Sequence, residues 1–371
     1  MAKLPQDLRV LMVHVDPCVR VLKEVQALQK HGVKMDLLCK DFTYSNKWGH
    51  FMENIYRYSD YDSLFAFLNE NCTKWDVIHC HNEPNDVTAV AISACTERPV
   101  IYDCHDLTSA RAPLEGLNAE MERLCFQSSA GVVHVSEGLK KFAFNKFGPS
   151  LSIVLPSFPL SSDSKIGAKP KLRGKHVVYQ GNLVDNPYNR YSYRFYLPMF
   201  AKLCEAGVHM HVFPAPIIGR NVLAPYEAYA KQQPLFHLHK ALPYKELISV
   251  MSQFEWGFSG FNFDYLTAPD VHTFLNSALP NKFFDYLLAG VCPIVINSAT
   301  VAEFASKHNA GYVAKDMDDF VRICTTEKPL PPLSDLGLID MQTQVGRLLE
   351  LYAAVQDRHK PMSMQSLANV I

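Results

Sequence analysis

The stretch "RVLMVHV" (9–15) followed by "VRVLKEVQALQKHG" (19–32) constrains the chain more than any other feature. A short apolar run is the mark of a strand buried on both faces. The second stretch places Val19, Leu22, Val25 and Leu28 on one helix face and stops at Gly32. The same alternation then recurs. "KMDLLCK", "WDVIHCH", "PVIYDCH" and "GVVHVS" read as strands, and "DSLFAFLNENC", "DVTAVAISACTE", "LNAEMERLCFQSS" and "GLKKFAFNKFG" as helices. Strands separated by helices must run parallel, with helices on both faces of the sheet.

The pattern pauses at "SSDSKIGAKPKLRGK" (161–175), which is polar and basic, and then restarts. "HVVYQ", "VHMHVFPA", "LFHLHK", "EWGFSGF", "VCPIVIN" and "YVAK" read as strands. "YLPMFAKLCEAG", "PNKFFDYLLAG" and "TVAEFASKHNAG" read as helices. "KPLPPLSDLG" is a proline-rich connector, and "LIDMQTQVGRLLELYAAVQ" reads as one long final helix. At about 100–200 residues per domain, 371 residues suit two domains. The expected division is 1–165, then 166–335, then a C-terminal helix and tail over 336–371 that packs back across the domains. The fold class is α/β, with two doubly wound Rossmann-like units facing a cleft. Ligands of such sheets bind beyond the carboxyl ends of the strands, where the strand order reverses.

Composition narrows the function by exclusion. A net charge of −1 gives no global field that would favour nucleic acid or an anionic membrane. The ten cysteines form no CxxC pair and show no zinc spacing, so they read as buried reduced thiols. The first apolar run is too short for a secretory leader, and no stretch approaches the roughly 20 apolar residues of a membrane span. The expectation is a cytoplasmic protein, peripheral at most. The segment 138–148 carries Lys140, Lys141 and Lys146 among three phenylalanines, which suits either a membrane surface or an ordinary surface helix with a buried aromatic face.

The candidate site residues follow strands. Gly181 comes directly after "VVYQ" and lets backbone N–H groups approach an anion, although no GxGxxG pattern accompanies it. In "PNKFFDYLLAG", Pro280 opens and Gly290 closes a helix, with Lys282 and Asp285 on one face. They are either an exposed ion pair or a phosphate contact and a hydroxyl acceptor. "DNPYNRYSYRFY" interleaves Arg190 and Arg194 with tyrosines, and Arg190 is close enough to Gly181 in sequence to reach the same anion. His105 and Asp106 end "VIYDCHD", where a histidine can share a proton with a substrate. Ser136 reads first as a helix N-cap. "DMDD" (316–319) reads as a helix cap, so no carboxylate pair calls for a metal.

With these residues in place, the chain resembles nucleotide-sugar glycosyltransferases of the GT-B fold. It is most similar to the retaining, metal-independent group that builds bacterial polysaccharides and glycolipids. The most specific segment is "LPNKFFDYLLAGVCPIVINSATVAEFASKHNAGYVA" (279–314), which resembles that group's Pro-x-Lys-x-x-Glu/Asp-Tyr helix and the Gly-x-Pro-Val strand after it. The resemblance implies a nucleotide-diphospho-sugar donor, no metal or other cofactor, a glycan or lipid-linked acceptor, and no nucleic-acid partner. By position it implies that Lys282, Asn281, Gly181, Asn182 and Arg190 lie near the diphosphate, with Asp285 at the ribose. It implies that Lys240 passes the base and that His105 lies at the reacting sugar. Asp16, Cys18, Asp106 and Ser136 then fall on the acceptor side. Two positions depart from the pattern: Ser277 stands where a glutamate is usual, and Asn182 where an arginine is usual. The alternatives are a nucleotide-sugar epimerase of the same fold and a non-catalytic sugar-nucleotide binder.

Overall fold

The computed structural model describes residues 7–43, 49–82, 84–111, 114–165, 168–216, 218–266 and 269–359. They fall into two units, Met1–Pro156 with Met341–Ile371, and Ser157–Asp340. Residues 161–165 and 168–172 belong to the second unit and are tied to it by hydrogen bonds. Ser161 N donates to Asp340, Lys169 N to Ser252 Oγ and Leu172 N to the Gln253 carbonyl. Residues 341 onward belong to the first.

The first unit holds seven parallel strands: β1 (Arg9–His14), β2 (Lys34–Cys39), β3 (Asn54–Arg57), β4 (Val77–His81), β5 (Val100–Cys104), β6 (Gly131–His134) and β7 (Ser152–Val154). Their order is β3-β2-β1-β4-β5-β6-β7, so the direction of winding reverses between β1 and β4. Val10 to Val13 of β1 are fully buried. Each such side chain contributes about 1.5–3 kcal/mol on burial, which is why an uninterrupted apolar run becomes the central strand. β3 escapes the sequence reading because it is a sheet edge with mostly exposed side chains.

The second unit holds β8 (His176–Gly181), β9 (His209–Pro214), β10 (Phe236–Leu238), β11 (Trp256–Gly260), β12 (Cys292–Ile296) and β13 (Tyr312–Val313). The order β10-β9-β8-β11-β12-β13 reverses between β8 and β11. Gly260 at the end of β11 is obligatory, because a Cβ there would lie 1.9 Å from the Ile296 carbonyl oxygen. Two helices of this unit, Arg220–Gln232 and Pro269–Ser277, lie outside the sequence reading. The first contains an internal proline, Pro225.

Three strands of the second unit also bring histidines into one row. His176 Nε2 donates to the Arg173 carbonyl (3.0 Å), so its Nδ1 accepts from His211 Nε2 (3.0 Å). His211 Nδ1 then accepts from His239 Nε2 (3.0 Å). His209 and His237 form a second pair beside it, at 3.0 Å. With neutral rings, every imidazole of this hydrogen-bonded row carries its proton on Nε2.

The expected single C-terminal helix is broken. A 3-10 turn Leu336–Ile339 precedes the helices Met341–Gln344 and Gly346–His359. Gly346 is a weak helix former at the break. The three phenylalanines of helix Glu137–Phe147 are half-buried, and Phe147 stacks on Phe126 at 4.4 Å. Among the described residues no helix is long and apolar enough to cross a membrane.

Candidate functional site

The helix Asn281–Leu288 begins after Pro280 and ends at Gly290, which takes the left-handed φ of +66°. Lys282 and Asp285 on this helix are buried, at 9% and 5% exposure, and they do not pair with each other. Asp285 Oδ1 accepts from the Tyr244 hydroxyl (2.7 Å) and Oδ2 from Gln180 Nε2 (3.1 Å). Tyr286 donates to the Phe258 carbonyl (3.2 Å) and accepts from Gln180 N (3.1 Å). The helix is therefore locked to β8 and β11. Gly257 makes this possible, since a Cβ there would meet the Tyr286 ring at 2.7 Å.

Lys282 Nζ sits 4.4 Å from the Tyr179 ring centroid, 5.2 Å from Tyr196 and 5.7 Å from Phe261. It also lies 3.5 Å from the Tyr196 hydroxyl. An aromatic cage stabilises the ammonium through cation–π attraction but supplies no counter-charge. Burial, followed by the field of Arg194, pulls the ammonium pKa down to about 7. Among the described residues no carboxylate is ion-paired with Lys282. Arg194 is carried on the short turn Ser192–Arg194, with its guanidinium over Tyr191 and Tyr193. Asn262, buried just after β11, secures that turn by donating to the Phe195 carbonyl (2.7 Å) and to the Tyr193 carbonyl (3.0 Å). Lys282 and the half-buried Arg194 thus bring two positive charges close together, which makes this place a candidate for an anion.

Gly181 adopts φ +132° at the end of β8, and the Tyr179 hydroxyl donates to the Asn182 carbonyl (2.6 Å). Tyr179 and Gln180 thus join Gly181, Asn182, Lys282 and Asp285 into one place. The expectation placed Arg190 here too. It is exposed and stacks on Tyr191 at 4.5 Å, and Arg194 is the cation whose field reaches Lys282. Lys240 and Asn281 are exposed, on the turn after β10 and at the helix start.

In the first unit, buried Asn82 after β4 holds the loop after β5. Its Oδ1 accepts from His105 N (3.1 Å) and Asp106 N (3.3 Å), and its Nδ2 donates to the Asp106 carbonyl. His105 Nδ1 lies 3.5 Å from Asp103, and the side chain retains 16% exposure. Asp106 faces Arg111 at 3.4 Å. Asp16 accepts from Thr43 N (2.9 Å) and Thr43 Oγ1 (2.6 Å), so it closes a loop. Cys18 is the N-cap of helix Val19–Lys30, and burial pushes its thiol pKa up. Ser136 is the N-cap of helix Glu137–Phe147, accepting from Leu139 N (3.0 Å), and is buried. Beside this group, Val15, Lys40, Tyr58, Asp60, Tyr61 and Pro84 line a hollow of about 390 Å³.

Tyr179, Tyr244, Asn262 and Asn82 were not singled out from sequence, and Arg194 was noted only as part of its tyrosine-rich segment, not as a site residue. The two asparagines had a usable signal, since each is a polar residue within two positions of the end of a strand of a doubly wound sheet.

No protein-family model and no curated protein matches the chain. Solved structures do. Anabaena HepE, in complex with UDP-glucose, matches with a TM-score of 0.63 at 12% identity, covering 98% of this chain and 100% of that one. The chain has the GT-B fold. UDP-N-acetylglucosamine 2-epimerase from Rickettsia bellii matches with a TM-score of 0.59 at 11% identity, covering 96% and 99%. Arabidopsis thaliana UGT89C1, complexed with UDP-L-rhamnose, matches with a TM-score of 0.51 at 11% identity, covering 98% of each chain.

Proposed function

We propose that the second unit binds a nucleoside-diphosphate sugar and that the chain transfers its sugar to a glycan or lipid-linked acceptor. The observation that carries the first part is the caged Lys282 beside Arg194, two cations without a paired carboxylate at the sheet's switch point. A diphosphate would supply the missing charge. As the glycosidic bond breaks, the leaving diphosphate gains charge, and preorganised cations there favour the transition state over the ground state. With Lys282, Arg194 and the N-terminal end of helix Asn281–Leu288 in this role, no metal is needed at the diphosphate. Asp285 is buried and already bonded to Tyr244 and Gln180, so its second part is to fix the helix. The ribose of the donor is assigned to the same carboxylate. The acceptor is assigned to the first unit, whose hollow has the size of a small-ligand site, with His105 as the polar contact at the reacting sugar.

A UDP-linked donor is favoured because the Anabaena and Arabidopsis structures of this fold hold UDP-sugars. The Rickettsia bellii epimerase supports a second reading, epimerisation of a nucleotide-sugar without transfer. One experiment separates the two. The protein is incubated with a panel of nucleotide-sugars, with and without acceptor extracts. Released nucleoside diphosphate is quantified, and the recovered nucleotide-sugar is examined by proton NMR. Acceptor-dependent release of diphosphate supports transfer, and a new sugar epimer supports epimerisation. Binding without either product leaves a sugar-nucleotide-binding protein. Absence of binding across the panel overturns the proposal.

A further inference from the structure

The first unit contains a separate constellation that the proposed donor chemistry does not use. β4 carries His79 and His81 two residues apart, hence on one face of the sheet. The parallel register sets Asp103 of β5 beside His81. Helix Val19–Lys30 lays Arg20 and Glu24, one turn apart, over the same face. Glu24, His79, His81 and Asp103 are all at 0% exposure.

Buried polar atoms are nearly always hydrogen-bonded. Here many are not. Both ring nitrogens of His81, His79 Nε2, Asp103 Oδ1 and both Glu24 oxygens have no hydrogen-bond partner among the described residues. The groups face each other at a consistent spacing instead. His79 Nε2 and His81 Nδ1 each lie 3.7 Å from Asp103 Oδ2, and His81 Nε2 lies 3.7 Å from Glu24 Oε2. That is too long for a proton to bridge. One ligand atom from each of the four residues falls within 4.8 Å of the others. Tetrahedral ligands on bonds of about 2.0–2.2 Å are themselves about 3.3–3.6 Å apart. The two gaps to Asp103 Oδ2, from His79 Nε2 and His81 Nδ1, are thus close to ligand–ligand distances around one ion; the gap to Glu24 involves the other nitrogen of His81, and Glu24 joins the set within the 4.8 Å span.

The surroundings fit as well. Metal-bound imidazoles commonly engage their other nitrogen, and bound carboxylates are held from outside. His79 Nδ1 lies 2.7 Å from the Tyr352 hydroxyl. Arg20 lies 2.9 Å from both Glu24 Oε1 and Asp103 Oδ2, and it donates to the Leu155 carbonyl (2.9 Å).

We propose that Glu24, His79, His81 and Asp103 form a buried site for a divalent transition-metal ion of the zinc class. Two imidazoles and two carboxylates suit zinc, cobalt or nickel over magnesium and calcium, which take oxygen shells. The four protein ligands close the shell, so the ion ties β4, β5 and the first helix together and leaves no position for substrate. Through Asp103 it also steadies the loop bearing His105.

The test uses the full chain, freed of metal by chelation and then titrated with Co²⁺ or Zn²⁺. The expected result is one ion per chain, with visible cobalt bands of tetrahedral strength and a zinc absorption edge showing nitrogen and oxygen ligands only. His81→Gln abolishes stoichiometric binding, and Tyr352→Phe weakens it about tenfold, as for loss of an outer-shell partner. Cys18→Ser leaves binding unchanged; it separates this site from the neighbouring set His14, Cys18 and His105, whose ligand atoms also converge. Should His81→Gln fail to fold, the wild-type chain decides alone, by a melting temperature that rises with added metal and falls with chelator. Sub-stoichiometric binding by the folded wild-type chain, sulfur ligation, or loss of binding in Cys18→Ser overturns the proposal.

Discussion

Acidification should loosen the second unit from about pH 6.5 downward, and His211 is the main reason. Its ring is 8% exposed and bonded on both sides, by His176 and His239. A proton added to Nδ1 would face the Nε2–H of His239. Burial, then the neighbouring His237, His239, His176 and His209, hold its pKa down at about 2. In the unfolded chain the same side chain titrates near 6.5. The unfolded state therefore binds more protons below about pH 6.5, and stability falls as the pH drops from there toward about 2. At about pH 5 the difference spans 1.5 pH units at 1.36 kcal/mol each, or about 2 kcal/mol from this residue alone. The assay is hydrogen exchange by mass spectrometry on peptides covering β9 and β10, corrected for intrinsic exchange, at neutral pH and at about pH 5. His211→Gln keeps a donor and an acceptor but cannot titrate. Its loss of protection between the two pH values should be smaller than that of wild type by about 2 kcal/mol. An identical pH dependence in the two proteins would refute the reasoning.

Other expectations follow from the same geometry. Because Lys282 is held at a pKa of about 7, it is mostly neutral at slightly alkaline pH, and an arriving diphosphate should recharge it. Calorimetry with a UDP-sugar near pH 8 should show proton uptake through a buffer-dependent binding enthalpy. Lys282→Met should remove that dependence and lower affinity or turnover about 10²-fold, with the fold intact. Buffer-independent binding by the wild type would remove Lys282 from the anion site. Gly260→Ala should cost more than about 3 kcal/mol, because its Cβ would strike a backbone carbonyl rather than a movable side chain. Gly207→Ala, at φ +79° with nothing within 4 Å, should cost only about 1–2 kcal/mol. Equal melting temperatures for the two variants would contradict the steric argument.

Short-range order was legible in the chain itself. Periodicity placed the central strands and most helices, because the apolar run of β1 and the striped helix after it can bury their surface in few other ways. Caps were legible too. Ser136 accepts from Leu139 N, Asp316 accepts from Asp319 N, and Gly290 takes the left-handed conformation that ends its helix. Lys282 and Asp285 were legible as residues of interest, but not as what they are. Their partners, Tyr196, Tyr179, Tyr244 and Gln180, lie 41 to 105 positions away or are reached only across the sheet. Whether a lysine on a helix pairs with water, a carboxylate or an aromatic cage is decided by what packs over it. The same holds for Arg194 over Arg190, for the histidine row built from three strands, and for Glu24, His79, His81 and Asp103. Local sequence sets backbone conformation through steric and capping effects that act within a few residues. Burial, charge and ligand geometry depend on distances that exist only once parallel strands, joined through helices, have been brought side by side.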